Sequence, residues 1–227
     1  PDLVFPSSHD NNFAVNSYIY WGSRAGFSAG RKTPLPGNGT RGCAIADLNG
    51  DGFSDVVLVN EFNGTKTELH SFIYWGGPAG YTVKNRTKLP TIGATAVAIA
   101  DLNHDGHPDL VFASSGHSYQ FTNAGRDYTF LRPASDIYWG SPKGYDPHNV
   151  SQLTTYNARD VKISDLNKDG YPDVIFAESG VNGNHGGALI YWGSRQGAYS
   201  SQNRAYLPGT GTAALSVADL NNDGYSD

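Results

Sequence analysis

Short apolar runs, separated by polar and glycine-rich punctuation, cover the whole of this 227-residue chain. None has the roughly 18 apolar residues that a membrane-spanning helix needs. The runs recur in sets. CAIADLN from Cys43 and VAIADLN from Val97 lead into an acidic stretch, and DVVLV from Asp55, DLVFA from Asp109 and DVIFA from Asp173 lead out of it. A third run reads SYIYWG from Ser17, SFIYWG from Ser71, SDIYWG from Ser135 and ALIYWG from Ala188. A fourth ends near Leu35-Pro36, Leu89-Pro90 and Leu207-Pro208. Each is short, rich in β-branched or aromatic residues and bounded by Gly, Asn, Asp or Pro, so each predicts a β-strand. Turns fall at Ser23 to Gly26, Gly77 to Gly80, Ser141 to Gly144 and Ser194 to Gly197.

The sets are periodic. Trp21, Trp75, Trp139 and Trp192 are 54, 64 and 53 residues apart. The chain therefore reads as one domain, 1–227, of four repeats at about 1–54, 55–108, 109–172 and 173–227. A four-stranded antiparallel sheet cannot bury its faces alone, and radial stacking of such sheets solves the problem. The expected fold class is all-β, a β-propeller with four-stranded antiparallel blades. Pro1 to Phe5 matches Pro108 to Phe112, so an inner strand from the end of the chain could complete the first blade and close a four-bladed ring.

The acidic stretch between the runs is Asp-x-Asn-x-Asp-Gly-x-x-Asp, four times over. Alternate positions of a tight loop can turn inward together and gather oxygen ligands around a hard cation, for which Ca²⁺ is the natural occupant. The candidate ligands of the first loop are Asp47, Asn49, Asp51, the carbonyl of Phe53 and Asp55. Those of the second are Asp101, Asn103, Asp105, the carbonyl of His107 and Asp109. Asp165, Asn167, Asp169, the carbonyl of Tyr171 and Asp173 serve the third, and Asp219, Asn221, Asp223, the carbonyl of Tyr225 and Asp227 the fourth. Up to four structural calcium ions are expected. An EF-hand starts with the same spacing but needs an acidic twelfth residue and flanking helices. Leu58, Phe112 and Phe176 stand there instead, between strands.

The formal charge of −5 takes its meaning from these loops, which hold twelve of the 21 acidic residues. Four divalent ions would carry it to +3. No basic stripe for nucleic acid is present, and no membrane insertion is expected. The single cysteine, Cys43, lies in an apolar strand and cannot form an internal disulfide. Loops of this kind fill where calcium is near millimolar, which points to a secreted, extracellular or cell-surface protein. The sequons at Asn38, Asn63, Asn85 and Asn149 agree with that placement.

Together, D-x-N-x-D-G-x-x-D between apolar strands and the IYWG run resemble the FG-GAP/VCBS repeats of integrin α-subunit propellers and related bacterial and fungal propeller proteins, some of them lectins. The resemblance spans essentially the whole chain. It implies the propeller fold and the metal, and favours about seven blades in a longer parent over a closed ring of four. For function it implies only a range, from adhesion receptors and lectins to toxin subunits and enzyme accessory domains.

Strand order places the connections between exit strand and IYWG strand at the end of the blades opposite the acidic loops. These connections differ most between repeats, and the third, from Ser114, is about ten residues longer than its counterparts. Its His117, Tyr119, Arg126, Asp127 and Tyr128 mix aromatic faces with hydrogen-bonding groups suited to a carbohydrate or glycoprotein. A solvated hairpin extension is the alternative. Signatures such as G-x-S-x-G, H-E-x-x-H, a phosphate-binding glycine loop or paired cysteines are missing. The expectation is a binding module and not an enzyme, with a structural repeat of a large surface or filament protein as the alternative. A lyase or hydrolase stays open, because its site leaves no local motif.

Overall fold

The computed structural model describes residues 1–123, 126–132, 135–180 and 186–227, with the backbone alone over 117–123 and 126–132. The chain divides into two units, Pro1–Ala94 and Thr95–Asp227. In the first, β1 (Leu3–Phe5), β2 (Asn16–Tyr20) and β3 (Lys32–Pro36) form a three-stranded sheet in that order. The strands β4 (Thr40–Ala46), β5 (Asp55–Asn60), β6 (Glu68–Tyr74) and β7 (Arg86–Ile92) form a four-stranded one. In the second unit, β8 (Ala94–Ala100), β9 (Asp109–Ser114), β12 (Ser135–Tyr138) and β13 (Val150–Leu153) make a sheet of order β13-β12-β9-β8. Between β9 and β12 lies a separate ribbon of β10 (His117–Asn123) and β11 (Arg126–Arg132). The last sheet is β14 (Ala158–Ser164), β15 (Asp173–Glu178), β16 (Gly187–Tyr191) and β17 (Arg204–Pro208).

The fold is all-β, with antiparallel pairing along each sheet. Each four-stranded sheet combines the strand entering an acidic loop with the exit strand, the IYWG strand and an outer strand that carries Leu-Pro in β7 and β17 and runs into Leu153-Thr154 at β13. The exit strand is thus interior, and every residue of β5, β9 and β15 is buried. That is why DVVLV, DLVFA and DVIFA are continuously apolar, without the alternation of a half-exposed strand. The first sheet has no fourth strand, since residues 211–218 form none. Leu3 and Phe5 of β1 are accordingly exposed.

Within each unit, apolar side chains of successive sheets interdigitate. In the first, Ile19 and Leu35 pack with Val56, Leu58, Phe72 and Tyr74. In the second, Val111, Ile137 and Leu153 pack with Val161, Val174, Phe176, Leu189 and Tyr191. The IYWG tyrosine also ties the sheets together: Tyr74 donates to the Pro36 carbonyl and Tyr191 to that of Thr154, both at 2.7 Å. The Trp21 ring also crosses to the next sheet, stacking on Tyr81 with centroids 6.3 Å apart, while the indole N–H bonds stay within each sheet. The indole N–H groups of Trp21, Trp75 and Trp139 donate to Thr33, Thr87 and Ser151 on the neighbouring strand. Both aromatic positions are thereby committed to packing.

Candidate metal centres

Each acidic loop turns tightly because two of its positions are left-handed. The sixth-position glycines Gly52, Gly106, Gly170 and Gly224 have φ of 85–88°, a region that costs glycine little. The fourth position is left-handed as well, at Gly50, His104, Lys168 and Asn222. The turn points backbone amides inward. Asp47 accepts from Gly50 and Gly52, Asn49 from Asp51, and Asp51 from Phe53, at 2.8–3.0 Å. The second and third loops repeat this pattern at Gly106 and Gly170, and the fourth does so at Gly224.

The ninth-position aspartate joins the loop to the rest of its sheet. Asp55, Asp109 and Asp173 are fully buried. One oxygen of each accepts from the amide of the loop's second residue, Leu48, Leu102 or Leu166, at 2.8 Å. The other accepts from the glycine of the IYWG run, Gly76, Gly140 or Gly193, at 2.7–2.8 Å. A Cβ on those glycines would collide with the carbonyl oxygens of Ser54, Pro108 and Pro172. The same three carbonyls accept from Tyr81, Tyr145 and Tyr199 at 2.6–2.7 Å. Acidic loop and Trp-Gly turn recur in step because one buried carboxylate binds both. The tyrosines were not singled out from sequence, although each follows a Gly-rich turn, as AGY, KGY and GAY. The first repeat has Phe27 there.

Charge is unevenly distributed over the loop. The Gly52 amide leads the effects that hold Asp47 below the usual carboxylate range. Burial raises Asp55 and Asp173 and takes Asp109 to about 6, against the pull of their amide donors, and the other loop carboxylates add to the rise. As they stand, no three His, Cys, Asp or Glu side chains among the described residues are gathered closely enough to hold an ion. Asn49, Asn103, Asn167 and Asn221 each donate through Nδ2 to the fifth-position carboxylate at 3.0 Å. The donor set fits a hard cation in kind. It offers carboxylates, an amide oxygen and carbonyls, and even Asp47, which accepts two amides on Oδ1, keeps a lone pair on Oδ2 beyond its bond from Gly52. The ninth aspartate is spoken for by two amides before any cation arrives.

At the other end of β9, the long third connection is the β10–β11 ribbon. Its register pairs His117 with Arg132, Tyr119 with Phe130, Phe121 with Tyr128 and Asn123 with Arg126. By the two-residue alternation of strands, positions 117, 119, 126 and 128 share one face and Asp127 the other. The side chains of these five candidates lie outside the described residues.

An FG-GAP-like repeat family model matches residues 47–112, 101–176 and 165–227. Among curated relatives, the phosphatidylinositol-glycan-specific phospholipase D of Rattus norvegicus is 31% identical over 153 residues, covering 58% of this chain and 17% of that protein. Human integrin alpha-6 is 34% identical over 76 residues, covering 30% of the chain and 7% of that protein. Human integrin alpha-IIb is 26% identical over 151 residues, covering 58% and 14%. The chain thus spans less than a fifth of the length of these relatives. Among solved structures, the V. cholerae biofilm matrix protein Bap1 aligns with a TM-score of 0.38 and 18% identity over 91% of this chain and 35% of that one. Three overlapping matches, each running from one acidic loop through the next, make this chain a member of the FG-GAP-like repeat family.

Proposed function

We propose that the chain is a calcium-stabilised extracellular module of adhesion type that binds carbohydrate or glycoprotein and catalyses no reaction. The observation that carries this reading is the recurring acidic loop, anchored in three of its four copies by a buried carboxylate, with the β10–β11 ribbon at the other end of β9. Kinship with two integrin α subunits supports an adhesion role and a place outside the cell or on its surface. The phospholipase D relationship touches 17% of that protein.

In this reading the aspartates and asparagines at loop positions one, three, five and nine hold Ca²⁺, together with the seventh carbonyl. The ion neutralises like charges and locks the loop. The ribbon meets the ligand, through Tyr119, Arg126 and Tyr128 on one face and without nucleic acid as a partner. A glycan array run with calcium tests it. Discrete sugar selectivity is expected, and replacing Tyr119, Arg126 and Tyr128 together by alanine should abolish it while the melting temperature stays within a few degrees, because a peripheral ribbon contributes little to the packed sheets. An array without selectivity would favour a structural repeat instead.

A further inference from the structure

A cavity of about 220 Å³ opens on the fourth sheet where the connection from β13 to β14 passes it, lined by Tyr156, Glu178, Leu189, Arg204 and Tyr206. Comparison with the second sheet shows why it is there. The residue before the Ile-Tyr pair is Phe72 in β6 and Leu189 in β16. In the second sheet the Arg86 guanidinium lies 4.1 Å from the Phe72 ring centroid and donates to the Tyr74 hydroxyl at 2.7 Å, so ring and cation fill the place together. Leucine is shorter. Arg204, the counterpart of Arg86, is exposed and reaches the Tyr191 hydroxyl only at 3.4 Å.

The end of the exit strand changes at the same time. Asn60 closes β5 with its oxygen accepting from Asn38 and Thr40 and its nitrogen donating to the His70 carbonyl. Its counterpart Glu178 is 1% exposed. One oxygen accepts from the Tyr156 amide at 2.7 Å, and the other has no hydrogen bond among the described residues. Burial pushes this carboxyl up to about 7, against that amide and the Arg204 charge. A buried carboxyl with a spare oxygen on a cavity calls for a donor. Tyr206 stands at the rim, its hydroxyl donating to the Gly186 carbonyl at 2.6 Å.

A matching ligand must donate to Glu178, accept from Arg204 and lay an apolar flank against an aromatic ring. Hydroxyl groups do the first two at once. The cavity is smaller than the roughly 300 Å³ at which drug-sized pockets begin, so it admits one ring rather than an extended chain. We propose that this cavity is a subsite for a single neutral pyranose, with Glu178 accepting from one hydroxyl, Arg204 donating to another and Tyr206 flanking the ring. The proposal rests on the carbohydrate reading above but locates a second place, separate from the ribbon.

Saturation-transfer difference NMR with methyl α-mannoside, methyl β-galactoside and methyl N-acetyl-β-glucosaminide tests it. Transfer to at least one glycoside is expected for the unaltered protein. Leu189→Phe, which restores the side chain of the second sheet, should abolish transfer without lowering the melting temperature. Glu178→Gln keeps the shape, removes one charge-assisted hydrogen bond and should weaken binding about tenfold. Absence of transfer to all three glycosides, or transfer undiminished in both variants, overturns the subsite. If the array shows selectivity while the glycosides fail, the subsite is wrong and the carbohydrate reading stands. If the alanine ribbon variant loses array binding but keeps transfer to the glycoside, the two places are independent as proposed.

Discussion

Replacing Asp109 by alanine is expected to cost the second unit about 3–5 kcal/mol in metal-free protein, because two buried amides lose a charged acceptor worth roughly 1.5–3 kcal/mol each. Leu102 and Gly140 donate those bonds, and neither finds water in place of a fully buried carboxylate. Part of the loss is offset, since burial already disfavours the Asp109 charge. Asp109→Asn should fall between the two, for its NH2 group can serve neither amide donor. Asp105→Ala removes a side chain from an exposed loop, and without metal it should cost only about 1 kcal/mol. Urea unfolding in EGTA checks the order Asp109→Ala, Asp109→Asn, Asp105→Ala. Equal losses from Asp109→Ala and Asp105→Ala would show that the buried carboxylate does not anchor the Trp-Gly turn.

Calcium removal should have the other large effect, and an uneven one. Each loop that binds only in the folded state adds about 2.7 kcal/mol at a calcium concentration of 100 Kd. The loop from Asp47 lies in the first unit, and those from Asp101, Asp165 and Asp219 lie in the second. Chelation should therefore lower the melting transition of the second unit further than that of the first. Calorimetric scans of calcium-loaded and EGTA-treated protein read this directly, and identical scans would remove calcium from the account of stability.

Much of this was legible in the sequence because the repeat states each strand three or four times. The exit strands, the Trp spacing and the tight loops all follow from short-range patterns that tertiary context does not override. The role of the ninth aspartate was only half legible. Spacing marks it as a ligand, whereas its bonds to Leu102 and Gly140 span 7 and 31 residues, and the second of these depends on strand pairing. The Tyr145 hydroxyl on the Pro108 carbonyl, 37 residues away, is hidden for the same reason. Glu178 and Leu189 look ordinary until the strand register shows that they hold the positions of Asn60 and Phe72 in the second sheet. A four-bladed ring, the less favoured of the two readings, needed a strand from the end of the chain, and residues 211–218 form none.

Isothermal titration of calcium into metal-free protein tests the central claim most directly, with Asp51→Ala, Asp105→Ala and Asp169→Ala each titrated beside the unaltered chain. Binding to as many as four sites is expected, with one site lost in each variant and a melting temperature that rises as the sites fill. A titration without saturable binding, or variants whose stoichiometry equals that of the unaltered chain, would contradict the assignment of the acidic loops as metal centres.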